Sequence, residues 1–394
     1  MSCDVTHSPS GASAAEPLAW FADMVDHCYD HAEAARVEGR PIVGILCEFT
    51  PREIILAAGA VPVCLCGGAA ETIPAAEQFL PANLCPLIKS TFGYHVTGKN
   101  PFLAWADLVV AETTCDGKKK MLELLAANKP VHVLELPQKA EDTDALEHWT
   151  GEIRKLKAAL EEKFATAITG EKLRAAIRLM NRERALRRGL ADLMTRPVPP
   201  LTGRQLIEFK SLISGQSGDL AQYENALKKF AEHCRPARPG EIRVLLTGVP
   251  LVHGAERVLE LIEAAGAVVV AMENCTGLKP ILDDVDEAEP DPIRAIARKY
   301  YHLPCSVMTP NPRRLEMLRA LAAKFRPQCI IELVWQACLT YDIESFHVRK
   351  LAEETLRLPY LKITTDYSPS DSARISARIE ALFETIRARA NDEG

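Results

Sequence analysis

The chain has 394 residues, 47% of them hydrophobic and 25% charged, with a formal net charge of -6. This is too long for one compact unit and fits two or three domains of a soluble globular protein. The acidic balance excludes a basic phosphate-binding footprint, and no run approaches the roughly eighteen apolar residues of a spanning helix.

The N-terminal stretch MSCDVTHSPSGASAAEP has neither a cationic start nor an apolar core, so it reads as a mobile tail over residues 1–16, not a signal peptide. Residues 17–40 carry Phe21, Met24, Val25, Cys28 and Ala32 at helical spacing, closed by Gly39. Strands and helices then alternate. PIVGILC, VPVCLC, ADLVVAETTC and KPVHVLELP are predicted strands, separated by helices over TPREIILAAGA, LCPLIKSTFG and DGKKKMLELLAAN. That rhythm predicts a parallel sheet covered on both faces, giving a first α/β lobe over 17–139.

From 140 to 240 the strand signal disappears, and long amphipathic patterns predict a helical insert with Thr169 as a helix cap. RPARPGE at 235–241 reads as a linker. A second α/β lobe follows over 241–394, with predicted strands IRVLLTG, AVVVAMEN, CIIELVW and PYLKITTDY and a closing helix SARISARIEALFETIRAR. No GxxxxGK[ST], GxGxxG or HExxH occurs, so nucleotide binding is not written in the chain. The glycines of GVPLVHGAE read as shaping a strand-to-helix turn.

Twelve cysteines spread over a large α/β chain without an export signal read as reduced cytoplasmic thiols. Cys3, Cys28, Cys64 and Cys234 read as small core hydrophobes. Six others form two matching trios, Cys47, Cys85 and Cys115, then Cys275, Cys305 and Cys338, in steps of about thirty to forty residues. Most fall where a strand ends or a helix begins, the place where ligands collect in open parallel sheets. Unpaired N–H groups there favour thiolates and an anionic cluster. Spacing alone leaves core filler, cluster ligation and cysteine–histidine catalysis open; zinc is disfavoured because no local CxxC pair exists.

The segments CEFTPREIILAAGAVPV, LPANLCPLIKS, TTCDGKKKM, ENCTG and QACLTYDIES together resemble the family of 2-hydroxyacyl-CoA dehydratase D-components and benzoyl-CoA reductase subunits. Within it they are most similar to the double-cubane cluster proteins, anaerobic reductases. The resemblance runs from about residue 17 to 388. It implies two Rossmann-like, flavodoxin-like lobes, a homodimer, and a partner ATPase of the activator type carrying its own [4Fe-4S] cluster. It also implies that Cys47, Cys85, Cys115, Cys275, Cys305 and Cys338 hold two bridged cubanes, an [8Fe-9S] iron–sulfur centre that reduces a small molecule.

Two alternatives stand beside this expectation: a dehydratase subunit with one [4Fe-4S] cluster that removes water from a 2-hydroxyacyl-CoA, and a non-enzymatic electron carrier. Glu48 and Glu273, beside Cys47 and Cys275, are the acids nearest in sequence for proton transfer. Lys118, Lys119 and Lys120 read either as an exposed helical turn or as a cationic patch for a partner or the cluster. Cys66, in CLCGG, can approach the same cleft without being required as a ligand.

Overall fold

The computed structural model describes residues 11–392 except 234. Cys3 and Cys234 therefore lie outside the described residues. The amphipathic stretch expected over 17–40 is two helices, Gly11–Ala22 and Met24–Val37, separated at Asp23. The break keeps both Phe21 and Met24 buried. The first helix starts inside the segment read as a tail, of which residues 1–10 are not described.

Both expected lobes are present. The first sheet contains β1 (Ile42–Ile45), β2 (Val61–Cys64), β3 (Leu108–Glu112) and β4 (Val131–Leu134), all parallel, in the order β2-β1-β3-β4. The second contains β5 (Ile242–Gly248), β6 (Ala267–Glu273), β7 (Cys329–Trp335) and β8 (Tyr360–Thr365), in the order β6-β5-β7-β8. Each lobe thus repeats the flavodoxin-like order, which reverses beside its first strand and opens a crevice at the strands' carboxyl ends. Strands β1, β3, β6 and β7 are buried along their whole length, matching their near-continuous apolar runs. Gly248 and Gly254 take positive φ of 110° and 91°, so the glycines of GVPLVHGAE do turn the chain after β5.

The central region is helical as expected, with long helices Thr143–Lys163, Gly170–Asp192 and Ser217–Glu232. Thr169 caps the second, its side chain accepting from the Lys172 N–H at 3.2 Å. These helices join the lobes instead of standing apart. Trp149, Ile153 and Leu156 share a core with Ile293, Ile296 and Tyr300 of the second lobe and with Val43 and Ile45 of the first. The 211–214 segment lies on the open edge of β2, where the Cys64 N–H donates to the Leu212 carbonyl at 2.7 Å. The proline-rich linker is anchored too, since Arg235 donates to the Pro199 carbonyl at 2.8 Å. No helix among the described residues is long and apolar enough to cross a membrane.

One buried polar clamp ties the three parts together. Arg184, on Gly170–Asp192, reaches Glu53 of the first lobe at 2.5 Å. Tyr300, on the second-lobe helix Pro292–Tyr301, donates to the other Glu53 oxygen at 2.8 Å. Burial alone would raise the Glu53 pKa; the adjacent Arg184 guanidinium outweighs it and holds the carboxylate below its usual range. Tyr300→Phe removes the hydroxyl that donates to Glu53 and accepts from Arg184 at 3.2 Å, and is expected to lower unfolding free energy by about 1.5–3 kcal/mol in a urea titration.

Candidate metal centre

The six cysteines of the two trios all lie at the carboxyl-end crevices. Cys47 follows β1, Cys115 follows β3, Cys275 follows β6 and Cys338 follows β7. Cys85 immediately precedes the helix Pro86–Thr97, as Cys115 precedes Asp116–Ala126 and Cys338 precedes Leu339–Lys350. The sulfurs of all three lie at these helix starts, near the N–H groups of Ile88, Lys118 and Tyr341. Cys305 sits in the turn ahead of the helix Pro312–Phe325.

The structure brings all six into one connected set, with the lobes' crevices facing each other. Cys85 and Cys338, from opposite lobes, lie close enough to push each other's protonation in opposite directions. Cys115 lies within electrostatic reach of Cys85, Cys338 and Cys305. Cys47 feels Cys275 and Cys305, both from the other lobe. Burial pushes the Cys47 thiol well up and the Cys275 thiol up to about 12.

Two buried lysines stand at comparable places in the two lobes. Lys118 pairs at 3.1 Å with Glu112, the last residue of β3, and Thr50 donates to the other Glu112 oxygen. Lys279 pairs at 2.9 Å with Glu273, the last residue of β6, to which Thr247 likewise donates. Each lysine follows its glutamate by six residues, with Cys115 or Cys275 between them. Burial opposes both ammonium charges; for Lys118 the neighbouring Cys47 and Glu112 outweigh it, and for Lys279 Glu273 and Cys275 do, so both pKa values lie above the usual range.

The triple-lysine segment therefore divides. Lys118 turns inward, while Lys119 pairs with Asp116 at 2.7 Å and Lys120 with Glu123 on the surface. Lys118→Met is expected to slow iron uptake into apo-protein and lower iron content, because Glu112 would then be buried without its cation; metal analysis and reconstitution kinetics check this.

Glu273 is unsuited to the proton role its sequence position suggested. It is fully buried and held by Lys279, Thr247 and Arg314, the last at 3.2 Å. Glu48 does reach the cleft described below, but it is paired with Arg52 at 2.9 Å. Arg314 itself, fully buried, also contacts Glu332 at 3.1 Å, Glu344 at 2.5 Å and Thr247 at 3.0 Å. One guanidinium thus fixes β5, β6, β7 and the helix after Cys338.

The donor set fits an iron–sulfur cluster. Beside the candidate ligands, among the described residues, two buried N–H donors lack partners: Asn274 Nδ2, next to Cys275, and Trp335 Nε1, at the end of β7 three residues before Cys338. Trp335 packs edge-on against Tyr367, whose hydroxyl feels the Cys85 and Cys66 thiols. Such donors suit cluster sulfurs, and two buried ammonium groups suit its negative charge. Among the described residues no three His, Cys, Asp or Glu side chains gather tightly enough to hold a single metal ion. A cubane binds each thiolate at a separate iron, so its ligands stand further apart than those of one ion.

A solvent-open cleft lies between the lobes and the central helices. Among the six candidate thiols only Cys275 borders it, with Glu48 next to Cys47. Cys64 and Cys66 also line it. Cys66 approaches as expected; Cys64, read as core filler, is instead a partly exposed thiol at the end of β2. Cys28 is buried as expected.

This combination of paired flavodoxin-like lobes and facing cysteines coincides with a family match over residues 47–386: the chain belongs to the 2-hydroxyglutaryl-CoA dehydratase, D-component family. It is 39% identical over 354 residues to YjiM of Escherichia coli K12, to which a dehydratase-subunit role is ascribed, covering 88% of this chain and 92% of that protein. The (R)-phenyllactyl-CoA dehydratase beta subunit of Clostridium sporogenes is 21% identical, again over 88% and 92%. A benzoyl-CoA reductase subunit of Thauera aromatica is 28% identical over 40% of this chain and 41% of its own. The protein is an enzyme component of this dehydratase and reductase family.

Proposed function

We propose that the chain is the cluster-carrying component of a low-potential reductase, with Cys47, Cys85, Cys115, Cys275, Cys305 and Cys338 holding a double-cubane [8Fe-9S] centre. The observation that carries this reading is the number and arrangement of these six thiols. A single cubane held by three cysteines would leave three others unused, although they belong to the same connected set. Their neighbours support one group of Cys85, Cys115 and Cys338 and another of Cys47, Cys275 and Cys305, each drawn from both lobes.

When bound, such a centre supplies low-potential electrons to a small unsaturated molecule. The chain's part is to hold the thiolates, balance their charge through Lys118 and Lys279, and admit substrate through the cleft beside Cys275. A separate ATP-hydrolysing activator would charge the centre, in a cytoplasmic homodimer. The names of the dehydratase beta-subunit relatives favour a second reading, a single [4Fe-4S] subunit of a 2-hydroxyacyl-CoA dehydratase.

Iron and acid-labile sulfide in protein purified without oxygen separate the two. About eight iron and nine sulfide per chain support the double cubane; about four of each support the dehydratase reading. Iron-free protein would sink both.

A further inference from the structure

The cleft is lined by more cations than acids. Arg52, Arg184, Arg187, Lys210 and Lys299 border it, against Glu48 and Glu183. All but one of these cations have an acid within ion-pair distance. Arg52 meets Glu48 at 2.9 Å, Arg184 meets Glu53 at 2.5 Å, Lys210 meets Glu256 at 2.7 Å, and Arg187 meets Glu183 more loosely at 3.9 Å. Lys299, on the helix Pro292–Tyr301, has no acid partner among the described residues. Its Nζ donates to the Pro280 carbonyl at 2.9 Å and lies 4.2 Å from the centre of the Tyr300 ring. Those contacts leave N–H capacity unused and supply no counter-ion.

Only 7% of Lys299 is exposed, and an amine so buried is costly to charge unless something brings a negative group to it. Its position suits a substrate contact. Pro280, which holds the Nζ, lies in the turn Lys279–Ile281 that follows Cys275, and Cys275, Pro280 and Lys299 all border the one cleft.

We propose that the cleft takes a small substrate bearing a carboxylate and that Lys299 binds that carboxylate, a deepening of the reductase reading on which it rests. The unpaired amine in the cleft wall carries the proposal. A thioester or amide carbonyl brings no charge and leaves Lys299 without a counter-ion, whereas a carboxylate matches both its charge and its free donors. The electrostatics agree. Burial, then Arg184 and Arg52, draw the Lys299 pKa well below the usual lysine range against the opposing pull of Glu53 and Glu48, and an arriving carboxylate counters that shift.

The test uses full-length protein purified without oxygen, as wild type, Lys299→Met and Lys299→Gln. Calorimetry titrates acetate, propionate, butyrate and crotonate, with crotonamide as a neutral isostere. Glutaryl-CoA, whose acyl chain ends in a carboxylate, and crotonyl-CoA, which has none there, separate an acid carried on coenzyme A from a free acid. At least one free acid or glutaryl-CoA is expected to bind wild type and to bind about tenfold or more weakly to both variants, the loss of a hydrogen bond between charged groups. Crotonamide and crotonyl-CoA should bind all three proteins alike. Because Lys299 leaves no acid stranded, both variants should keep the wild-type iron content and urea midpoint.

Failure of every carboxylate to bind wild type would overturn the proposal, as would carboxylate binding that is unchanged in both variants. A urea midpoint that falls in both variants would make Lys299 a structural group and overturn it too. Wild-type protein without iron would instead remove the reductase reading, while the comparison of acid with amide would still report on Lys299.

Discussion

Arg314→Met is expected to lower the unfolding free energy by about 3–5 kcal/mol in denaturant titrations, the cost of stranding buried charge when one partner is removed. The guanidinium has no exposed surface and meets three carboxylates, Glu273, Glu332 and Glu344, with the Tyr341 ring 4.8 Å from its centre. Methionine can fill much of the space but cannot offer any of the N–H donors. Arg314→Lys keeps a charge without the fork and should recover only part of the loss. The same variants should hold less iron, because Arg314 joins the strand leading to Cys275 to the helix that follows Cys338.

Acid should act along the same lines. Glu53 and Glu273 are buried carboxyls whose cationic partners outweigh burial and hold their pKa below 4.5. A depressed folded-state pKa gives stability that is present above the unfolded value and lost as pH falls through the folded one. Glu332 has the opposite slope, since burial outweighs Arg314 and raises it. Wild-type protein is therefore expected to lose stability as pH drops below about 4.5, and Arg314→Met should flatten that acid limb as Glu273 loses one of its two cations.

The alternating strands and helices were readable because each sheet is parallel and covered, which makes its strands short apolar runs with turn signals between them. The thiols were readable as well, since the ends of those strands locate the crevices. What spacing could not reveal is which thiols approach one another, because that depends on how the second lobe docks onto the first. Cys47 meets Cys275 and Cys305 across that junction, and Cys85 meets Cys338. Each trio as written in the chain therefore has neighbours in the other trio as well as its own.

The polar supports had a weaker signal. Glu112, Glu273 and Glu332 each interrupt or end an otherwise apolar strand, and a carboxylate in such a run requires a buried cation. That argument asks for a partner without identifying one, and Arg314 looks like any other charge on an amphipathic helix. Cys64 was misread for a related reason. Its neighbours along β2 are buried, but β2 ends there and the 211–214 segment leaves the thiol facing the cleft.

Single serine replacements at Cys275 and Cys338 are expected to separate the two cluster readings more sharply than any change elsewhere. Serine keeps the size of the side chain but offers a harder oxygen donor in place of a soft thiolate, so iron held through that position is lost or loosely bound. If Cys47, Cys275 and Cys305 surround one cubane and Cys85, Cys115 and Cys338 the other, either variant should lose about half its iron or more, the larger loss following if a half-centre cannot persist without its bridge. Under a single-cubane reading centred on Cys85, Cys115 and Cys338, Cys338→Ser should lose nearly all iron while Cys275→Ser keeps it. Folding must be matched first by circular dichroism and urea midpoint, since Cys338 and Cys85 are also neighbours across the lobe junction. Retention of full iron and sulfide by both variants would remove these residues from the centre and, with them, the argument that the two facing crevices were built to hold it.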